Sequence, residues 1–436
     1  MTGFLQDVFG LFRDFLKKRS GRRVANNFSY IIIGEILAKL IGFLAIVFIA
    51  RTLSPELYGQ YNTVISYVTF FLIVIDMGIN SVVVREGSKD ISNINNYMNK
   101  VLVFKAYLSV AAVILILISL LFVPYPPIIK SMIAIASMYI VLQGLKTFIE
   151  CSFRITENMK FIAFSRILER TIFLLMALVF LHFHAHPISV VYAIITSFFV
   201  SLMANFYFSR RYVSYYLSWK VDWVFTKKLV KPAIWFGLAA FFTMIYSKLD
   251  VLMVSFLSTM VQVGFYAGAW QLVNAGVIMR GAIYSAFFPM SARKIPTSRE
   301  YVKKLFFLLL AISILASVVT LALSIFSAEI IGLIFGERYD GSVPVLSILI
   351  WYVPLSVLGL WGVLVLDSTN NQKIHTYTTL FMAVVNVAFN IVLIPSLGAV
   401  GAAIASIVSG VLGLALVTFF GYKKWKEVDY GKKSFG

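Results

Sequence analysis

Runs of about twenty apolar residues follow one another along almost the whole chain, and this pattern restricts the fold more than any single motif. A bilayer hydrocarbon core of ~30 Å is crossed by roughly 20 residues of α-helix. About twelve such stretches occur, near residues 27–50, 61–84, 101–123, 128–151, 161–183, 187–208, 232–257, 263–290, 305–326, 343–366, 374–395 and 398–421. Little sequence is left between them. With 60% hydrophobic and 13% charged residues, the 436-residue chain has too few polar side chains to cover a water-soluble domain of its size. In hydrocarbon only helices and closed barrels satisfy their backbone, and stretches this long select helices. The expectation is an all-α polytopic membrane protein with about twelve transmembrane helices. The first stretch is too long for a signal peptide core and is expected to be retained. Residues 4–16 place Phe4, Leu5, Val8, Phe9, Phe12, Phe15 and Leu16 on one side, the pattern of an interfacial helix.

A net charge of +19 could point to nucleic acid, so its distribution matters. With the N-terminus inside, about 28 Lys and Arg fall on cytoplasmic segments, against Arg51, Lys130 and Arg338 on the other side. This is the positive-inside bias of a cell-membrane protein, with both termini cytoplasmic. The basic excess then serves topology and attraction to anionic lipid rather than nucleic acid.

The basic segment 210–231 separates six helices from six. The expected organisation is an amphipathic cytoplasmic segment (1–26), a six-helix lobe (27–209), the linker (210–231), a second six-helix lobe (232–421) and a basic tail (422–436). The lobes echo each other locally. Tyr58-Gly59-Gln60-Tyr61 recurs as Val263-Gly264-Phe265-Tyr266, and Thr156-Glu157-Asn158-Met159-Lys160 recurs as Thr369-Asn370-Asn371-Gln372-Lys373. The similar offsets indicate an internal repeat. Because six is even, the halves share one orientation, which predicts a pseudo-two-fold axis along the membrane normal and a mid-membrane site reached by alternating access.

Ala50-Arg51-Thr52-Leu53-Ser54-Pro55-Glu56-Leu57-Tyr58-Gly59-Gln60-Tyr61, followed by Asp76-Met77-Gly78 and Arg85-Glu86, resembles the opening of the polysaccharide-biosynthesis branch of the multidrug/oligosaccharidyl-lipid/polysaccharide exporter superfamily. Phe335-Gly336-Glu337-Arg338-Tyr339, Asn386 to Asn390, Leu393-Ile394-Pro395, Gly398 and Gly401-Ala402-Ala403 continue the resemblance. It implies a V-shaped pair of six-helix lobes and an O-antigen-type flippase carrying an oligosaccharide on an isoprenoid pyrophosphate. The implied partners are that substrate, membrane lipids and glycan-assembly enzymes.

Seven cations (Lys39, Lys105, Lys146, Arg166, Arg170, Lys248, Arg280) and five acids (Glu35, Asp76, Glu150, Glu169, Asp250) fall within the apolar stretches. A central charge costs ~2.5–3.5 kcal/mol on insertion scales, so these groups must pair, line a cavity or snorkel. Arg166, Glu169 and Arg170 stand at i, i+3 and i+4 and share a helix face. They could grip a pyrophosphate, since guanidinium binds phosphate bidentately, or neutralise one another between helices. The candidate substrate-binding residues are Arg166, Arg170, Lys39, Lys248 and Arg280. The ion-coupling candidates are Glu35, Asp76, Glu169 and Asp250. Glu35 and Lys39, at i and i+4, are expected to pair, and Asp76 to cap a helix end or meet a nearby base. Asp250 could meet Arg280 if their depths match.

His182, His184 and His186 form a short external cluster better read as interfacial polar groups than as a metal site. The single Cys151 permits no intrachain disulfide, and no cofactor or metal is indicated. The absence of a P-loop pattern and of a large external loop disfavours an ATPase and a membrane glycosyltransferase or polymerase. No enzymatic activity is expected. A cation-coupled multidrug exporter is the nearer alternative, although an excess of intramembrane cations suits an anionic cargo better.

Overall fold

A computed structural model describes residues 19–216 and 221–428. The interfacial segment expected over 4–16 lies outside them, as do residues 217–220 and the last eight. Sixteen α-helices follow in order: α1 (Arg19–Thr52), α2 (Pro55–Phe70), α3 (Leu72–Asp76), α4 (Ile79–Lys89), α5 (Ile94–Ser119), α6 (Pro127–Ile155), α7 (Met159–Phe183), α8 (Pro187–Ser209), α9 (Trp223–Leu257), α10 (Met260–Lys294), α11 (Arg299–Ile325), α12 (Ser327–Ile334), α13 (Val343–Leu349), α14 (Tyr352–Ser368), α15 (Gln372–Leu397) and α16 (Ala399–Glu427). No strand occurs among the described residues.

Ten spans among the described residues are long and apolar enough to cross a bilayer. Helix α7, 25 residues long but carrying several charges, and α9, 35 residues long, bring the number of crossings to twelve. The spans agree with those expected from the sequence. Helix α9 begins at Trp223, inside the stretch read as linker. Ahead of it, Asp222 accepts from Lys100 Nζ at 2.8 Å and from the Phe225 N–H at 3.0 Å. Those two contacts, the lysine first, hold the Asp222 carboxyl below its usual range.

Local chemistry sets the helix ends. Pro127 and Pro187 occupy first turns, where a missing N–H costs nothing. Thr259 and Ser298 cap α10 and α11 by accepting from Gln262 N and Tyr301 N. The second crossing is broken into α2, α3 and α4. Met77 (φ 45°) and Gly78 (φ 77°) both take left-handed conformations there, unusual for a methionine and easy for a glycine.

The chain divides into two compact units. One comprises Met1–Thr52 with Val68–Leu238, the other Leu53–Tyr67 with Ala239–Gly436. In the first, α1 lies along α7, α7 along α8, and α6 along α5 and α8. Gly34 lets α1 approach Ala163 of α7 closely. Ser165 Oγ on α7 meets Ser201 Oγ and Asn205 Nδ2 on α8, each at 2.8 Å, an interhelical polar contact suited to lipid surroundings. In the second unit, α16 packs on α14 and α15, while α10 and α11 flank α14.

The internal repeat has a structural counterpart within each unit. Glu157 (φ 56°) and Asn370 (φ 58°) turn the chain the same way. The next residue closes each turn. Asn158 N donates to Phe153 O at 2.7 Å and Asn371 N to Leu366 O at 2.8 Å, and each asparagine side chain donates to the threonine carbonyl two residues back. Threonine, a left-handed residue and asparagine therefore build one turn twice.

Candidate functional site

In the first unit the intramembrane charges form two linked sets and one separate pair. Lys146 on α6 lies 2.5 Å from Glu169 Oε2 on α7 and 3.3 Å from Glu150 Oε1, one turn away on its own helix. All three side chains are at most 6% exposed. The Phe198 ring covers the ammonium at 5.3 Å. Arg170 Nε stands 3.7 Å from Glu169 Oε1 and completes a neutral group of two bases and two acids, yet 42% of its own side chain is exposed. Its stem crosses Gly42 of α1, where an added Cβ would lie 3.3 Å from Arg170 Cδ.

The second set joins α1 to α7. Glu35 accepts from Arg166 through Oε2 and meets Lys39 at 3.1 Å through Oε1, and all three are about one-third exposed. The expected Glu35–Lys39 pair is present. The α7 trio does not act as the self-contained face that its spacing suggested. Arg166 turns to α1 and Glu169 to α6, because a carboxylate on a neighbouring helix offers a more direct approach than one on the same helix. The separate pair is Lys105, wholly buried on α5, which donates to Asp76 Oδ1 at 2.9 Å beside the Met77–Gly78 break.

In the second unit Asp250 on α9 is 8% exposed and meets no cation among the described residues. Tyr266 Oη donates to Oδ2 at 2.7 Å, Ser406 Oγ to Oδ2 at 2.8 Å and Asn390 Nδ2 to Oδ1 at 2.7 Å. Asn390 also donates to Asn386 Oδ1 at 3.0 Å, and its own Oδ1 is buried without a hydrogen bond. Arg280 is not the partner of Asp250. Asp250 lies seven residues before the end of α9 and Arg280 twenty after the start of α10, which at a 1.5 Å rise gives depths of roughly 10 Å and roughly 30 Å. Tyr266, six residues into α10, matches the shallower depth. Arg280 Nε instead donates to Ser356 O at 3.2 Å. Lys248 has no ion pair among the described residues.

The carboxamide and hydroxyl groups around Asp250 carry no charge to betray them in sequence. The Asn386–Asn390 run was visible only as part of a family pattern. Of the histidines, His186 caps α8 by accepting from Ile188 N at 3.2 Å, and His184 stacks on it at 5.3 Å. Burial, and then the neighbouring His184, push the His186 pKa down. No cluster of three or more metal-ligating side chains occurs among the described residues.

The paired glycines of the sequence repeat meet within the second unit. A Cβ on Gly59 would overlap the Met260 carbonyl and lie 2.9 Å from Gly264 N, and one on Gly264 would overlap the carbonyl of Pro55. Only glycine permits this approach of α2 to α10. Thr63 Oγ1 meets Met260 Sδ at 3.5 Å, and buried Tyr58 packs edge-on against Tyr339 at 6.0 Å.

Twelve apolar crossings in two helical units, with ionisable side chains held inside the spans, define a polytopic membrane transporter. The chain belongs to the polysaccharide biosynthesis protein family, whose sequence model matches residues 24–295. A relative from Haloferax volcanii, named a probable low-salt glycan biosynthesis flippase, Agl15, is 27% identical over 166 residues. That match spans 38% of this chain and 35% of the relative. Among solved structures, the lipid II flippase MurJ superposes with a TM-score of 0.72 at 15% identity, covering 91% of this chain and 89% of MurJ. A multidrug resistance MATE transporter of the MOP superfamily gives 0.73 at 14% identity, covering 91% and 96%. A MOP superfamily transporter from Pyrococcus furiosus gives 0.63 at 14% identity, covering 93% and 95%. These likenesses establish the fold.

Proposed function

We propose that the protein is a flippase that moves an isoprenoid pyrophosphate-linked oligosaccharide from the cytoplasmic to the outer leaflet of the cell membrane by alternating access, for polysaccharide assembly. The observation that carries this reading is the sorting of charge by exposure across α1, α6 and α7, beside the reverse arrangement of the Lys105–Asp76 pair. Glu150 and Glu169 are buried against Lys146, whereas Arg170, Arg166 and Lys39 remain partly exposed with Glu35 as the one acid among them. The accessible part is cationic, which suits a phosphate headgroup and disfavours a cationic drug. Family membership and the glycan flippase relative support the same cargo. The charge bias of the loops supports cytoplasmic termini, and a C-terminal tag that reacts with an impermeant reagent in intact cells would overturn that topology.

Arg170 is the residue to test, because Arg166→Gln would also remove the ion pair that ties α7 to α1. Arg170→Gln removes the fork while leaving the Lys146–Glu169 pair. In vesicles carrying a fluorescent prenyl-pyrophosphate disaccharide, its flipping rate should fall about tenfold to hundredfold, the loss of a hydrogen bond to a charged group worth ~1.5–3 kcal/mol, at normal membrane abundance. A wild-type rate would remove Arg170 from the headgroup site.

If transport is coupled to an ion, Asp250 is the group best placed for it. A buried carboxylate held by neutral donors alone can gain a proton or cation without first breaking an ion pair. In the same vesicles Asp250→Asn should make flipping indifferent to imposed proton and sodium gradients. Unchanged gradient dependence would exclude Asp250 as the coupling group.

A further inference from the structure

The second unit encloses a cavity of about 420 Å³ among α10, α14, α15 and α16. Its volume lies within the range of small-molecule sites. Its lining is divided chemically. Arg280 supplies a cation, His375 an imidazole and Thr379 a hydroxyl, while Val363, Met382 and Val417 supply apolar wall. We propose that this cavity binds a phosphate group attached to an apolar chain, and, resting on the flippase reading above, that the ligand is the phosphorylated isoprenoid end of the cargo at a stage of transport other than its contact with Arg170.

The cationic end is prepared for an anion. Arg280 makes one hydrogen bond, through Nε to Ser356 O, and has no carboxylate within 4.0 Å among the described residues. The main-chain contact engages Nε and leaves the terminal nitrogens of this lining residue without a hydrogen bond among the described residues, able to meet two phosphate oxygens in parallel. The nearest acid is already engaged. Asp367 accepts from Tyr284 Oη at 2.9 Å and meets His375 Nδ1 at 3.2 Å. With Nδ1 held by that carboxylate, His375 presents Nε2 to the cavity. The apolar wall explains why a free inorganic anion would be a poor occupant, since much of the cavity surface would then face no partner. Gly359 on α14 marks the space: a Cβ there would sit 3.7 Å from Leu414 and 3.8 Å from Val417, ordinary contact distances. A leucine at this position would therefore extend into the cavity without displacing backbone.

The test is equilibrium binding to the purified full-length protein in detergent, by calorimetry, with geranylgeranyl monophosphate as probe. Geranylgeraniol, inorganic pyrophosphate and dioleoyl phosphatidate are the comparison ligands. The wild type should bind the prenyl phosphate at least tenfold more tightly than each of the three. Arg280→Gln and Thr379→Val should weaken binding at least tenfold and severalfold respectively, and Gly359→Leu should abolish it while the thermal melting point stays close to wild type. Should Gly359→Leu fail to fold, Arg280→Gln and Thr379→Val decide. Wild-type affinity in both would overturn the site. Equal or tighter binding of inorganic pyrophosphate would overturn its apolar half, and equal or tighter binding of phosphatidate would assign it to a bilayer phospholipid instead of cargo. Failure of the flippase reading is read separately: prenyl phosphate binding lost in Arg280→Gln, in a protein whose wild type flips no lipid-linked sugar, would keep the site and remove the transport function.

Discussion

Replacing Lys146 by methionine should lower the level of the protein in the membrane severalfold and reduce its melting temperature, more than any other single charge removal in the first unit. Lys146 is the one base among the described residues that touches both Glu150 and Glu169, and all three are almost wholly buried. Methionine fills much of the same space, so packing against Phe198 is largely kept. What disappears is the positive charge, which leaves two carboxylates facing each other with only Arg170, 3.7 Å from one of them. Removing one partner of a buried ion pair costs about 3–5 kcal/mol, because the survivor keeps its desolvation penalty without compensation. That is a large share of the stability of a typical domain. The triple change Lys146→Met/Glu150→Gln/Glu169→Gln, which removes the charges together, should recover most of the lost abundance. Normal abundance and melting in Lys146→Met alone would refute the structural role of this cluster. Recovery of abundance but not of flipping in the triple variant would place the cluster in transport as well.

Oxidative cross-linking of Thr63→Cys with Met260→Cys should fasten α2 to α10 and raise the melting temperature by several degrees, and reduction should reverse it. The two side chains touch at 3.5 Å, beside the Gly59–Gly264 approach. At this point the outer part of the second crossing, a segment of the N-terminal half in sequence, is packed within the unit formed mainly by the C-terminal half. The bond joins two elements of one compact unit that lie 197 residues apart in sequence. Closing so long a loop in the unfolded chain is worth about 2–4 kcal/mol. The measurement is thermal melting before and after reductant, with the cross-linked fraction read by mass spectrometry of the linked peptide. Failure of the pair to cross-link, or an unchanged melting temperature in fully cross-linked protein, would refute this contact.

Much of this protein follows from its sequence alone. The number and limits of the crossings are legible because the hydrocarbon thickness fixes how long an apolar helix must be, whatever it packs against. The Glu35–Lys39 pair is legible because one helical turn brings i and i+4 together. The repeated turns at Thr156–Asn158 and Thr369–Asn371 are legible as a recurring pattern because a turn is built by the residues that compose it. Pairings between helices are a different matter. Arg166 and Glu35 are 131 residues apart and Asp250 and Ser406 are 156 apart. Which helix faces which, and at what depth, is set by packing along the whole length of each pair. That is why the α7 trio was divided between α1 and α6, why Asp250 met a tyrosine, an asparagine and a serine in place of Arg280, and why the two repeat glycines turned out to face each other. Sequence determined that a dozen charges inside the membrane had to be satisfied; only the tertiary structure decided by whom, because a buried charge takes whichever partner the neighbouring helix brings within about 3 Å.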